Sequence, residues 1–194
     1  RALLKHGADI DATVERGTPG RRFSADFSIR YQAVGASAFW LAAKYGELES
    51  LKVLADHGAK PFIAPDNGVS ALQAAMGVPA ISQENRRNRV GVPLADAFER
   101  EALVLELARI VLGLGADVNA VDARGNTALH DAVRTGFSQV VDFLLHQGAN
   151  ADLRNDRDQT PLTLAETPLP VAGTNGRRAT QPEIAALLRS VGVE

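Results

Sequence analysis

The fold is decided by the stretch Asp122-Ala-Arg-Gly125-Asn-Thr127-Ala-Leu-His130-Asp-Ala132, which is followed by Gly136, Val140-Val141-Asp-Phe143-Leu-Leu145 and Gly148-Ala149. The pattern predicts a short turn, a short helix, a glycine break and a second helix that ends on glycine. One such unit cannot bury its apolar face alone, so it requires similar units on either side.

Copies of this unit are present along the chain. Gly115-Ala116 precedes Gly148-Ala149 by 33 residues, which is the length of one unit. Gly58-Ala59 and Gly7-Ala8 mark two earlier copies, at distances of 57 and 51 residues. Because both distances exceed one unit, the sequence predicts that the earlier units carry insertions.

The repeated turn motif carries a family resemblance. Thr127-Ala-Leu129-His130-Asp-Ala132 differs from the motif Thr-Pro-Leu-His-x-Ala only where Ala128 stands in place of proline. Weaker copies occur in three other units: Thr160-Pro161-Leu162-Thr-Leu-Ala165, Ser37-Ala-Phe39-Trp40-Leu-Ala42 and Ser70-Ala-Leu72-Gln73-Ala-Ala75. The sequence therefore resembles ankyrin-repeat proteins, and its long insertions resemble those of a group of bacterial ankyrin proteins with expanded loops.

The resemblance implies an all-α fold, an ankyrin-type solenoid of stacked helix pairs with β-hairpin fingers and three loop insertions. A single ankyrin-repeat domain is expected over 1–194. Its predicted parts are a partial unit 1–12, an inserted finger 13–34, a unit 35–64, a unit with an insertion 65–121, a regular unit 122–154 and a C-terminal unit with an insertion 155–194. Because the first part matches only the end of a repeat, the sequence is expected to be a fragment.

Local patterns refine this expectation. The spacing predicts helices over 38–44 and 48–56, and another over 101–112 after an insertion at 78–100. Apolar residues alternate with polar ones over 23–31, which predicts an extended strand in the first insertion. The aromatic residues of that strand are expected either to pack on the scaffold or to form a docking surface. Asp158 stands where glycine is usual and is expected to tolerate a positive φ.

Composition restricts the classes of function. The chain has 194 residues, 45% apolar and 23% charged, with a net charge of −2 and no cysteine, so disulfides and thiol chemistry are excluded. No apolar run is long enough to span a membrane.

No pair of histidines has metal-ligand spacing, and no nucleotide-binding or hydrolase motif is present. His130 is expected to fix its turn through bonds to backbone groups and Thr127. The sequence predicts no catalytic residue, cofactor or metal site, and leaves cellular location open between a bacterial cytoplasm and export.

The main functional hypothesis is a non-enzymatic module that binds another protein through a concave face of finger tips and exposed first-helix positions. Transferred by position, the candidate partner-binding residues are Trp40, Lys44, Tyr45, Asp66, Asn67, Val69, Arg124, Asn126, Arg134, Thr135, Asp156, Arg157 and Gln159. Trp40 replaces the histidine of the motif. It is expected either to pack under the first insertion or to serve as an exposed contact for a partner.

Two alternative hypotheses involve the insertions. Together they carry a net charge of +5, against −7 for the rest of the chain. Two of them lie on one edge and could bind a polyanion or nucleic acid through Arg86, Arg87, Arg89, Arg177 and Arg178, with steep salt dependence. The other alternative is a ligand or enzymatic site between insertions, which would require acid, base and polar groups contributed by two loops.

Overall fold

The computed structural model describes residues 2–16, 33–77, 97–170 and 178–191 of the chain. The chain divides into two compact units, Arg1–Ala116 and Asp117–Glu194. This boundary falls near the end of the predicted repeat 65–121. Within the described residues the elements are nine helices and one two-stranded sheet, which confirms the all-α fold class.

The first unit contains five described helices: α1 (Ala2–Lys5), α2 (Ala38–Tyr45), α3 (Leu48–Asp56), α4 (Ala71–Met76) and α5 (Ala97–Gly113). Helices α2 and α3 form one pair and α4 and α5 form the next, with contacts inside each pair. The first helices contact each other, α2 with α4, and so do the second helices, α3 with α5. This stacking of like on like is the arrangement of a helical repeat solenoid.

The second unit repeats the pattern with α6 (Ala128–Thr135), α7 (Ser138–His146), α8 (Pro161–Glu166), α9 (Pro182–Ser190) and the short strands β1 (Leu169–Pro170) and β2 (Arg178–Ala179). Helix α6 contacts α7 and α8, and α9 contacts α8 and α7. Helix α6 therefore packs on its own partner and on the first helix of the next repeat. Both units of the chain are built by the same rule.

The first helices of the repeats begin at residues whose side chains cap the helix N-terminus. Ser37, Ser70, Thr127 and Thr160 are the N-caps, and the side chain of each accepts a hydrogen bond from a backbone N–H three residues later. Helix α6 ends at Gly136, whose φ of 80° lies in the left-handed region that glycine adopts without strain. These caps explain why helices of only six to eight residues have defined ends.

The core combines small and large apolar residues. Buried alanines on the first helices allow close approach of neighbouring helices, as at Ala43, Ala75, Ala132 and Ala165. Large side chains fill the remaining space and are fully or almost fully buried: Leu51, Leu72, Met76, Leu107, Leu129, Leu144 and Leu188. Burial of these side chains contributes about 1.5–3 kcal/mol each relative to exposure, and it depends on the neighbouring repeat.

The structure differs from the predicted elements at two places. Helix α5 begins at Ala97, whereas the sequence predicted a helix from 101, so the end of the predicted insertion 78–100 is helical. Residues 97–100 are Ala-Phe-Glu-Arg and contain no glycine or proline that would interrupt the helix. In the third insertion, Leu169 lies opposite Ala179 and Pro170 opposite Arg178 in an antiparallel pair that the sequence did not predict.

The base of the first insertion is closed by backbone hydrogen bonds. Val14 N donates to Ala36 O at 2.9 Å and Gly35 N donates to Val14 O at 2.8 Å, beside an antiparallel bridge between Thr13 and Ser37. The strand predicted over 23–31 lies outside the described residues. The expectation for Asp158 is confirmed, since its φ is 57°.

Candidate partner-binding surface

The turn before α6 is held by His130, which is completely buried. Thr127 N donates to His130 Nδ1 at 3.2 Å, while His130 N donates to Thr127 Oγ1 at 3.4 Å. On the other side of the ring, Nε2 lies 3.0 Å from the carbonyl oxygen of Gln159, which is 29 residues later in the sequence. His130 therefore closes its own turn and also joins two successive repeats, which confirms its predicted structural role.

The protonation state of His130 follows from these contacts. Because Nδ1 accepts a hydrogen bond from Thr127 N, Nε2 carries the proton that is donated to Gln159 O. Burial lowers the pKa of His130, and the charge of Arg134 lowers it further, while the bond to the Gln159 carbonyl opposes the shift. The ring is therefore neutral at pH 7 and is not poised for acid–base chemistry at a surface.

Trp40 occupies the equivalent position in the first unit and makes the equivalent bond. Its Nε1 donates to the carbonyl oxygen of Val69 at 2.7 Å, again across 29 residues. The side chain is only 2% exposed. The hypothesis that Trp40 is an exposed contact for a partner is therefore wrong for this structure, because the indole is used to join two repeats.

Asn126 is a second candidate that the fold uses internally. It is 6% exposed, and its Oδ1 accepts a hydrogen bond from Asn155 Nδ2 at 3.0 Å. Its own Nδ2 lies 3.3 Å from Asp122 Oδ2. The expectation that Asn126 contacts a partner is corrected, since its amide links two neighbouring finger turns and has little surface to offer.

The tips of those two fingers remain on the surface. Arg124 N donates to Asp122 Oδ1 at 2.8 Å, and Arg157 N donates to Asn155 Oδ1 at 2.9 Å, so each turn is closed by a side chain at its start. The turns are also joined, because Asp156 N donates to Arg124 O at 2.9 Å. The side chains of Arg124, Asp156 and Arg157 are exposed. A backbone held by hydrogen bonds within and between the turns therefore presents three charged side chains.

Close approach of the two fingers requires glycine at Gly125. Its φ is 71°, and a Cβ at this position would lie 3.0 Å from Asn155 Cα. A side chain would therefore be strained by the backbone conformation and would collide with the next finger. Gln159, another candidate, is half-buried beside this turn and gives its carbonyl to His130.

The ends of the first helices supply the other exposed candidates. At the end of α6, Arg134 Nη1 lies 2.6 Å from Asp131 Oδ1, and Thr135 Oγ1 donates to Ala132 O at 2.9 Å. Both Arg134 and Thr135 are exposed. At the end of α2, Tyr45 is 54% exposed.

The first unit has its own finger and first-helix candidates. Lys44 Nζ lies 5.3 Å from the centre of the Trp40 ring, a distance within the range of a cation–π contact. Asp66 is exposed and its N–H donates to Val34 O at 3.3 Å. Asn67 Oδ1 accepts from Val69 N at 3.1 Å and so shapes the turn. Val69 is half-buried.

Among the described residues, five exposed large apolar side chains were not sequence candidates: Phe62, Phe98, Leu114, Val121 and Val191. Phe62 is 71% exposed, Phe98 66% and Val121 53%. Phe62 follows Gly58 by four residues, and the corresponding residues after Gly7 and Gly115 are Asp11 and Asn119. An aromatic residue at a position that is polar in the other repeats is a signal that an internal alignment could have found.

None of the five arginines proposed for an anion-binding edge has a described side chain. Arg86, Arg87, Arg89 and Arg177 lie outside the described residues, and only the backbone of Arg178, in β2, is described.

Within the described residues no group of three or more histidine, aspartate or glutamate side chains could hold a metal ion. In that same part of the chain, no helix combines the length and apolar character needed to cross a membrane.

The fold and these contacts define a class of protein, a solenoid of short capped helix pairs linked by hydrogen-bonded fingers. A family profile described as ankyrin repeats, in three copies, matches residues 96–188. The chain is an ankyrin-repeat protein. Ankyrin repeats indicate a protein–protein interaction module.

Relatives with similar sequences support the same assignment. The chain is 34% identical over 141 residues to neurogenic locus notch homolog protein 1 of Homo sapiens. The matched region covers 68% of this chain and 6% of that protein. It is 33% identical over 140 residues to the same protein of Mus musculus, with 67% and 6% covered. It is 33% identical over 149 residues to neurogenic locus notch homolog protein 2 of Homo sapiens, with 70% and 6% covered. The matches thus cover only a small part of each relative's length.

Proposed function

We propose that this chain is a non-enzymatic binding module that contacts a partner protein through its finger tips and the exposed ends of its first helices. The observation that supports this proposal is the separation of roles within each repeat. Polar atoms of the motif, such as those of His130 and Asn126, are consumed in joining repeats. The side chains of Tyr45, Arg124 and Thr135 are exposed instead and are available to a partner.

The rigidity of these positions also favours binding. The backbone on which the side chains stand is held by caps within the turns and by bonds between successive turns, as at Arg124 and Asp156. A partner therefore meets a surface whose order has already been established by folding, so less conformational entropy is lost on association. Aromatic side chains such as Tyr45 contribute contact area with few rotatable bonds.

The experiment compares substitutions at the ends of first helices with substitutions on second helices. The immobilised chain is used to capture proteins from cells that contain it, and the captured proteins are quantified by mass spectrometry. Tyr45→Ala and Thr135→Lys alter the proposed surface. Matched controls are Lys52→Ala on α3 and Glu183→Ala on α9, both exposed positions on second helices.

The proposal expects specific proteins whose capture falls strongly with Tyr45→Ala or Thr135→Lys and is unchanged by Lys52→Ala and Glu183→Ala. Circular dichroism should show the same helix content for all four variants, because exposed substitutions seldom change stability by more than about 0.5 kcal/mol. Capture that survives both surface variants, or that is lost equally in the controls, would contradict the proposed surface.

A further inference from the structure

The five arginines of the second unit whose side chains are described fall into two groups. Three are exposed but form ion pairs with a carboxylate of the same unit: Arg134 with Asp131, Arg154 with Asp158, and Arg189 with Glu166. Arg124 and Arg157 differ from these three, since within the described residues neither guanidinium group has a carboxylate partner or a side-chain hydrogen bond. Both side chains are exposed.

The two unpaired arginines occupy equivalent places on successive fingers. Each is two residues after the side chain that closes its turn, Asp122 for one and Asn155 for the other. The carbonyl of Arg124 is bonded to the N–H of Asp156, which directly precedes Arg157. Successive repeats are spaced by about 10 Å, the distance between packed helices. The fold therefore holds two free guanidinium groups on adjacent turns at roughly that spacing.

We propose that Arg124 and Arg157 together bind an acidic segment of a partner protein, through two carboxylates of an extended peptide. This inference rests on the proposed function and names the chemistry of the partner. A guanidinium group presents parallel N–H donors that match the two oxygens of a carboxylate. In a polyproline II segment the rise is about 3.1 Å per residue with three residues per turn, so Glu-x-x-Glu presents both carboxylates on one side, about 9 Å apart.

Three aspartates lie near these two arginines. Asp158 is exposed and forms an ion pair with Arg154. Asp122 is occupied, because its carboxylate accepts hydrogen bonds from Arg124 N and Asn126 N, at 2.8 Å each, and contacts Asn126 Nδ2. Asp156 is exposed, and no ion pair engages its carboxylate within the described residues. It stands between the two arginines in the hydrogen-bonded fingers. Asp156 is therefore the charge that repels an acidic peptide, and its removal should strengthen binding.

The test is a titration of the isotope-labelled full chain with a short capped peptide containing Glu-Pro-Pro-Glu, followed by NMR chemical shifts. Arg124→Gln and Arg157→Gln should each raise the dissociation constant about threefold, and the double variant about tenfold, as expected for exposed ion pairs. Asp156→Asn should lower it by about twofold. Arg109→Gln is the matched control, because it removes one exposed positive charge from α5 and should leave binding unchanged.

Further arms identify the chemistry of the ligand. The same peptide with Gln-Pro-Pro-Gln should not bind, and raising the salt concentration should weaken binding of the acidic peptide. Equal binding of the two peptides, or an acidic peptide whose affinity is unaffected by Arg124→Gln with Arg157→Gln, would overturn the inference. It would also be overturned if duplex DNA, and not the peptide, bound in an Arg124- and Arg157-dependent manner.

The outcome is separable from that of the proposed function. Proteins whose capture depends on Tyr45 and Thr135, together with failure of the acidic peptide, would leave the interaction surface in place and refute only the acidic partner. Binding of the peptide without any protein captured through Tyr45 or Thr135 would support the arginine pair and count against the wider surface.

Discussion

The substitution Trp40→Phe removes the hydrogen bond between Trp40 Nε1 and Val69 O with little other change to the side chain. The substitution keeps a buried aromatic ring but deletes the N–H that donates to Val69 O at 2.7 Å. This bond spans 29 residues and joins the second repeat to the third within the first unit. If it holds the repeats together as His130 does in the second unit, its loss should lower the free energy of unfolding.

The magnitude follows from the environment of the two groups. A hydrogen bond contributes a net of about 0.5–1.5 kcal/mol, and leaving a buried acceptor without a donor costs about 1–3 kcal/mol. Val69 is only half-buried, so water can reach its carbonyl and the lower part of that range applies. The smaller ring also leaves some space in a site where Trp40 is 2% exposed. We expect Trp40→Phe to cost about 1–3 kcal/mol in total.

The assay is urea unfolding followed by circular dichroism of the helices, with Tyr45→Phe as the matched control. Tyr45 is 54% exposed and lies on the same helix, α2, so loss of its hydroxyl should change stability by less than about 0.5 kcal/mol. His130→Phe should cost more than Trp40→Phe, because it removes partners of both Thr127 N and Gln159 O. Equal midpoints for Trp40→Phe and Tyr45→Phe would refute the reasoning.

Three further outcomes are expected from the same contacts. The pKa of His130 in the folded protein is lowered from the ordinary value of 6.5, so its neutral form contributes stability that is complete above about pH 6.5 and is lost as the pH falls toward the lower folded pKa. The urea midpoint of the parent should therefore fall with pH over that range, and in His130→Gln it should depend less on pH. Leu129→Ala should cost about 2–5 kcal/mol, because Leu129 is 1% exposed, whereas Val121→Ala at a 53% exposed position should cost less than about 0.5; similar urea midpoints would show that the burial is misassigned. Gly125→Ala should cost more than about 1 kcal/mol, because its φ is positive and its new Cβ would meet the backbone of Asn155; a thermal midpoint equal to that of the parent would contradict this.

Much of the local structure could be predicted because its causes lie close together in sequence. Helix α6 is defined by its N-cap Thr127 and by Gly136 at its end, and the apolar residues between them have the helical spacing. The turn at Asp158 was also predictable, since one residue's conformational preference determines whether it tolerates the glycine position. In these cases the sequence contains both partners of the interaction within a few residues.

The candidate surface was less predictable because exposure depends on the neighbouring repeat. Transfer by position selected Asn126 as readily as Arg124, although the first is bonded to Asn155 and the second is exposed. Their residue types do not distinguish them, since both are polar and both lie in the same turn. The distinguishing contact comes from a residue 29 positions away.

The sequence by itself determined the repeat, its capped helix pairs and the family to which the chain belongs. The reason is that the 33-residue spacing and the capping residues can be read directly from the order of residues. The tertiary structure alone decided which of the repeated positions remain accessible. It turned Trp40 and Asn126 inward as links between repeats and left Arg124 and Arg157 without carboxylate partners among the described residues. The physical reason is that a polar side chain bonds whichever group the next repeat brings within reach, and that group is supplied only when the repeats stack.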